Sequence, residues 1–145
     1  MKKLLSMILA SVLIFTLAGC GGGEEAAPEA EAGGEAVKVG VCIYKFDDNF
    51  MTLYRQELER YFEEDLSADG TTYDVTVVDG KNDQAEQTNQ VNTFIADGVD
   101  VLVVNLVQAS AAPTVIEAAK AADIPVVFIN REPTAEDLAT YDKAC

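Results

Sequence analysis

Residues 37–50 read VKVGVCIYKFDDNF, a run of apolar and β-branched residues that changes abruptly to polar ones. Apolar runs of about 4–8 residues bounded by polar turn residues are typical of buried strands. Three more such runs follow, and the residues between them repeat apolar side chains every three to four positions, as one face of a helix does. We therefore predict an α/β fold, a doubly wound parallel sheet covered by helices on both faces.

The boundaries of these elements follow from the same periodicity. Strands are predicted over residues 37–44, 73–78, 101–104 and 125–129. Helices are predicted over residues 50–66, 85–95 and 112–119. Asp83 is the expected N-cap of the second helix, with Glu86 three residues on as in a capping box and Gly98 at the far end.

The first 19 residues have the pattern of an export signal. Lys2 and Lys3 precede an apolar run that ends at Leu17, and small residues lead to Cys20. A buried core helix is the alternative, but such a helix is not expected to end in Cys-Gly-Gly-Gly and then turn acidic. Residues 17–20, LAGC, resemble the bacterial lipobox, which implies that Cys20 is acylated and anchors the protein at the outer face of a membrane.

Residues 20–36 form an acidic linker between the signal and the domain predicted over residues 37–145. The stretch from residue 21 contains five Glu, no basic residue and no bulky apolar side chain, so it predicts a flexible, self-repelling spacer. The whole chain carries 10 basic and 25 acidic residues, a net charge of −15. Loss of Lys2 and Lys3 with the signal leaves 8 minus 25, or −17. This charge argues against nucleic acid as a partner.

The residue types present argue against an enzyme and against a bound metal or other cofactor. The chain has no His, the commonest general base and metal ligand, and no Gly-x-Ser-x-Gly or phosphate-binding glycine motif. Its three Cys are widely spaced and cannot form a zinc site together. Cys42 lies within the first predicted strand, where a buried cysteine acts as a small apolar residue.

Polar residues follow each predicted strand, at the edge where open α/β sheets bind ligands. They are residues 47–50, Asp79, Asn105 and residues 130–131. A carboxylate and an amide beside an aromatic ring suit a sugar, which offers vicinal hydroxyls and an apolar C–H face. Asp48, Asn130 and Phe50 supply these groups. The alternative, equally compatible with the residues, is that Asp48 or Asn49 only caps the first helix and Phe50 packs beneath it.

The two aspartates after the first strand are also compatible with a different class of function, that of a single-domain signalling module. Asp47 and Asp48 could serve metal or phosphoryl chemistry, as the acidic pair does in a flavodoxin-like receiver module. Receivers carry their phosphoryl-accepting Asp after the third strand, where this chain has Asn105. An inactive product of a truncated or frameshifted gene is a third interpretation.

From Val37 onward the chain closely resembles the galactose/glucose-binding (methyl-galactoside-binding) proteins of bacterial ABC sugar importers, in the periplasmic-binding-protein type I family. The segments that carry the resemblance are YKFDDNFM (44–51), KNDQ (81–84), NLV (105–107), TVIE (114–117), IPVVF (124–128), NREP (130–133) and YDKA (141–144). The resemblance implies that Asp48 and Asn130 hydrogen-bond the sugar and that Phe50 stacks on it. Arg131, where this family usually has Lys and ribose-binding relatives have a sugar-binding Arg, is a further candidate contact.

The resemblance also implies the partners. Members of this family have two lobes that close over the sugar and then dock on an ABC permease. We expect a monomeric, exported lipoprotein whose sequence corresponds to the N-terminal part of such a receptor, with the family's calcium site in the second lobe and no cofactor here. The 145 residues alone are then expected to bind galactose or glucose in the millimolar range at best.

Overall fold

The computed structural model describes residues 35–145. The predicted signal, Cys20 and nearly all of the linker lie outside the described residues. In this part of the chain four strands form one parallel sheet in the order β2-β1-β3-β4. Their bounds are β1 Val37–Ile43, β2 Tyr73–Asp79, β3 Val101–Val104 and β4 Val126–Phe128. The predicted fold class is confirmed, with each strand within two residues of its predicted ends.

Among residues 35–145, four α-helices connect or follow the strands. They are α1 Asn49–Arg60, α2 Gln84–Ala96, α3 Ala112–Ala121 and α4 Ala135–Leu138. Asp83 is the N-cap of α2 as predicted, accepting from the amides of Ala85 at 2.8 Å and Glu86 at 3.1 Å. The Glu86 carboxylate contacts Lys81 Nζ at 3.4 Å. Gly98 follows α2 with a φ of 71°, in the left-handed region that favours glycine.

The first helix departs from its prediction. The regular α-helix ends at Arg60, and the chain continues through one wider π turn, Tyr61–Asp65, and one tighter 3₁₀ turn, Leu66–Asp69. Glu63, Glu64 and Asp65 place negative charge at the C-terminal end of the helix, where the helix dipole disfavours it. Arg60 pairs there with Glu57 and with two of these three carboxylates. Helix α4 was not predicted, because four residues are too few to show a helical period.

Alternate residues of each strand pack on opposite faces of the sheet. On one face Val39, Val41 and Ile43 of β1 pack with Val103 and with residues of α1. On the other face Cys42, Leu102 and Val104 pack with residues of α2 and α3. A Cβ atom added to Gly40 would lie 2.7 Å from Cγ of Phe94, so only glycine allows α2 to approach β1 this closely.

This connectivity determines where a ligand can bind. The chain leaves β1 through α1 toward one edge of the sheet, and from β3 onward it builds toward the other edge. The direction in which strands are added to the sheet therefore reverses between β1 and β3. Open α/β sheets bind ligands at such a point, beyond the carboxyl ends of the strands.

Within residues 35–145, the structure has no helix long and apolar enough to cross a membrane.

Candidate functional site

Asp48 follows β1 and is the N-cap residue of α1. Its Oδ1 accepts a hydrogen bond from the Met51 amide at 2.9 Å, and its Oδ2 accepts one from the Tyr44 hydroxyl at 2.7 Å. The amide of Met51 and the hydroxyl of Tyr44 lower the pKa of this carboxyl group, so it stays ionised. An ionised carboxylate has about four acceptor positions. The Phe50 amide also lowers this pKa, and these contacts use only part of the acceptor capacity of the carboxylate.

Phe50 lies in the first turn of α1 and is 62% exposed. Its ring centroid is 6.1 Å from that of Tyr54, at an interplanar angle of 37°. The alternative in which Phe50 packs beneath the helix is therefore wrong. The cap interpretation is correct for Asp48, but it does not use up the carboxylate's acceptor positions. An apolar ring and an ionised carboxylate thus lie two residues apart at the start of one helix.

Asn130 follows β4 and is exposed at the carboxyl edge of the sheet. Its φ is 61°, a left-handed conformation that asparagine tolerates better than most residues. The amide of Arg131 donates to the carbonyl of Ile129 across it at 2.6 Å. This tight turn leaves the Asn130 side chain available to a ligand.

Arg131 makes contacts that the sequence did not predict. Its Nη1 donates to the carbonyl oxygens of Leu106, at 2.7 Å, and of Val107. Its guanidinium carbon lies 4.2 Å from the ring centroid of Tyr44. The cation is therefore bonded to the loop after β3 and stacked on the residue that holds Asp48.

Two polar side chains, those of Asn105 and Gln87, form hydrogen bonds to the loops at the carboxyl edge of the sheet. Both side chains are fully buried. Asn105 Nδ2 donates to the Ile129 carbonyl at 3.2 Å, and its Oδ1 lies 3.4 Å from the Tyr44 amide. Gln87 donates to the Asn105 carbonyl at 2.8 Å and accepts from the Val107 amide at 2.9 Å. Asn105 thus connects the ends of β1 and β4, which lead to Asp48 and Asn130.

Sequence reasoning did not identify Tyr44 or Gln87 as part of the site. The apolar pattern places Tyr44 at the end of the first predicted strand and Gln87 within the second predicted helix, and neither position indicates a role in binding. A glutamine among the apolar positions of α2, one turn before Val91, was the available signal. Its meaning depends on the loop after β3, about 18 residues away, which local periodicity does not show.

The two neighbouring aspartates do not converge on a common point. Asp47 has an 83% exposed side chain and contacts Lys45 Nζ at 3.2 Å, whereas Asp48 faces Tyr44. Asp79 Oδ1 accepts from the amides of Phe46 and Lys81. Among residues 35–145 no three His, Cys, Asp or Glu side chains are grouped as metal ligands. The arrangement therefore gives the receiver-type interpretation no support.

Comparison with known proteins places this geometry in a family. The model of the periplasmic binding protein domain matches residues 39–142. The chain is 41% identical over 107 residues to the D-galactose/methyl-galactoside binding periplasmic protein of Haemophilus influenzae, covering 74% of this chain and 31% of that protein. It is 35% identical over 133 residues to a putative rhizopine-binding protein of Rhizobium meliloti, covering 92% and 36%. The chain thus spans about a third of the length of these curated relatives.

Solved structures show the same fold. An ABC transporter solute binding protein from Bacillus halodurans, with bound myo-inositol, superposes with a TM-score of 0.61 at 27% identity, over 72% of this chain and 35% of that one. The periplasmic binding protein of the arabinose ABC transporter from Shewanella, bound to arabinofuranose, gives a TM-score of 0.62 at 25% identity, over 72% and 32%.

The names of these relatives describe binding proteins and not enzymes. The family model covers most of the chain, and two curated relatives exceed 30% identity over more than two thirds of it. This chain belongs to the periplasmic binding protein domain family.

Proposed function

We propose that this protein binds a monosaccharide outside the cytoplasm and delivers it to the permease of an ABC importer. The observation that carries the proposal is the Asp48 carboxylate, held by Tyr44 and Met51, with the exposed ring of Phe50 two residues away. Both lie at the reversal point of a parallel sheet, where ligands of such folds bind.

The chemistry of these groups favours a neutral ligand rich in hydroxyls. Asp48 is ionised and can only accept, so the ligand must donate, and the hydroxyls of a sugar are suitable donors for its remaining acceptor capacity. Hydrogen bonds to a charged acceptor are about twice as strong as neutral ones. Phe50 can cover the C–H face of a pyranose, and the Asn130 amide can both donate and accept. An anionic ligand would be repelled by Asp48.

Within the sugars, we propose galactose or glucose. Support comes from the 41% identical relative, whose name states D-galactose and methyl-galactoside. Other relatives are named for rhizopine, ribose and xylitol, so the choice among sugars rests on that relative and on residues 44–51.

We further propose that the protein is exported as a monomer and held at the outer face of a membrane through a lipid on Cys20. The proposal rests on the signal pattern of residues 1–19 and on the lipobox-like LAGC. Metabolic labelling with a radioactive fatty acid should mark the intact chain and not its Cys20→Ala variant. Label that persists after this substitution would contradict the anchor, whereas Cys145→Ala, which removes a cysteine far from the signal, should leave the label unchanged.

The sugar proposal is tested by a titration followed through the backbone amide resonances in nuclear magnetic resonance (NMR) spectra, a method that also detects weak binding. Galactose and glucose should shift the amides of residues 48–51 and 130 in a saturable way. Amides at the opposite end of the sheet, such as that of Lys38, should stay in place. Ribose and myo-inositol are the comparison ligands. Saturable shifts only at the opposite end, or none with any of the four compounds, would overturn the proposal.

A further inference from the structure

Arg131 is a cation at the candidate site, and one nitrogen of its guanidinium is already engaged by the protein. One nitrogen donates to two carbonyl oxygens of the loop after β3, and the planar group lies on the face of Tyr44. Such a planar, forked donor can bond a loop and stack on a ring at the same time. In this position the side chain acts on the site through Tyr44.

Tyr44 lies between Arg131 and Asp48 and contacts both of them. Its side chain is 8% exposed, and its amide lies near the buried Asn105 Oδ1. Its hydroxyl donates to Asp48 Oδ2 at 2.7 Å, and this bond raises the pKa of the Tyr44 hydroxyl, which therefore keeps its proton. The same ring therefore contacts Arg131 on its face and donates from its hydroxyl to one of the two carboxylate oxygens.

We infer that Arg131 is a positioning residue for sugar binding: it orients the Asp48 carboxylate through Tyr44 and does not contact the sugar. The inference rests on the proposed function, and it assigns Arg131 a different role from the direct contact expected from the sequence. Lysine, a point charge without the planar fork, cannot make both contacts. Arg131→Lys therefore keeps the charge and loses the positioning.

Other charges near these groups must be separated from this effect. Lys45 Nζ lies 5.9 Å from the Tyr44 ring centroid and also lowers the pKa of Asp48, and it is itself paired with Asp47. Lys45 remains in place in every variant below, so its contribution is constant.

The first test measures the pKa of the Asp48 carboxyl by NMR in the absence of sugar. Arg131→Lys should raise this pKa, because a loosened Tyr44 donates less well to the carboxylate. In the Tyr44→Phe background the same substitution should cause no further rise. No rise with Tyr44 present, or an equal rise in both backgrounds, would overturn the inference.

A matched variant separates positioning from a general loosening of the loop. Gln84 Oε1 accepts from the Gln108 amide at 3.0 Å and so holds the same loop from α2, away from Tyr44. Gln84→Ala should lower the unfolding temperature and leave the pKa of Asp48 unchanged. A pKa change equal to that of Arg131→Lys would show that the effect comes from loop stability alone and would overturn the inference.

The second test measures sugar affinity. Arg131→Lys should weaken galactose or glucose binding several-fold, and in the Asp48→Asn background it should weaken the residual binding no further. Equal losses in both backgrounds would mean that Arg131 contacts the sugar itself, which contradicts the inference. If neither sugar binds at all, the proposed function fails, while the pKa test still decides whether Arg131 orients Asp48.

Discussion

Asp48 caps a helix and is proposed to bind sugar, two roles that are compatible because a carboxylate accepts more hydrogen bonds than a helix cap requires. The cap uses Oδ1, Tyr44 uses Oδ2, and acceptor capacity remains on the carboxylate. A sequence can predict the cap, since Asp before a helical period is a local signal. It cannot predict the stacking of Arg131 on Tyr44, because this contact depends on loops brought together from separate strands. The hydrogen bond from Tyr44 to Asp48 joins residues only four apart, but it depends on the conformation of an irregular loop that periodicity does not show.

The Tyr44 hydroxyl should make Asp48 more acidic. Removing it in Tyr44→Phe should raise the pKa of Asp48 toward its ordinary value, since one of the two largest favourable contributions to the charged form is lost. Asp48 has a lowered pKa in the folded chain, so its contribution to stability is present above the unfolded pKa and is lost as pH falls through the folded one. The variant should therefore lose less stability on acidification than the parent chain.

Urea unfolding across the acidic pH range measures this difference. Tyr54→Phe is the control, because Tyr54 is a half-buried tyrosine of α1 that makes no hydrogen bond to Asp48. An identical pH dependence for Tyr44→Phe and the parent chain would show that the hydroxyl does not stabilise the ionised carboxylate.

At the scale of the elements, the apolar patterns predict what lies on each face of the sheet. The strands were predictable because the apolar runs are bounded by polar turn residues, and α2 and α3 because each has a clear helical period. The break after Arg60 was not, since Phe62 and Leu66 continue the apolar period into the π and 3₁₀ turns. Acidic residues 63–65 follow that boundary, where the helix dipole disfavours negative charge.

The N-cap of α2 should contribute measurably to stability. Asp83→Ala removes the acceptor for two amides and should lower the free energy of unfolding by about 1 kcal/mol. Asp97→Ala, at the other end of the same helix, removes a negative charge from the unfavourable end of the dipole and should not lower it. Equal losses for the two variants in urea unfolding would contradict this account of the cap.

The contact between Gly40 and Phe94 sets how closely α2 lies on the sheet. Gly40→Ala places a methyl group against the Phe94 ring and should lower the free energy of unfolding by about 1–3 kcal/mol. Adding Phe94→Leu makes room, so the double variant should be more stable than the sum of the two single losses predicts. Additive losses by urea unfolding would show that the ring is not what excludes a side chain at position 40.

At the scale of the whole molecule, the fold class and the family are those that the sequence predicts. The proposed choice of sugar rests on few residues. The chain spans about a third of the length of the curated relatives, and their names cover several different ligands. The predicted contacts Asp48, Phe50 and Asn130 all lie at the carboxyl edge of the sheet. Periodicity predicts this shared edge, because parallel strands place their carboxyl ends together. It does not distinguish galactose from glucose, which differ in the orientation of one hydroxyl.

The central claim is that Asp48 binds the sugar, and the affinity of its asparagine variant for galactose and glucose tests it most directly. Asn is as good an N-cap as Asp, so Asp48→Asn keeps α1 while it removes the charge and replaces one acceptor oxygen by an amino group. Asp47→Asn is the matched control, because Asp47 is the adjacent exposed aspartate paired with Lys45. We predict that dissociation constants from NMR titration rise at least tenfold for Asp48→Asn, about 1.4 kcal/mol, and stay unchanged for Asp47→Asn. Equal affinities for Asp48→Asn and the parent chain would contradict the claim.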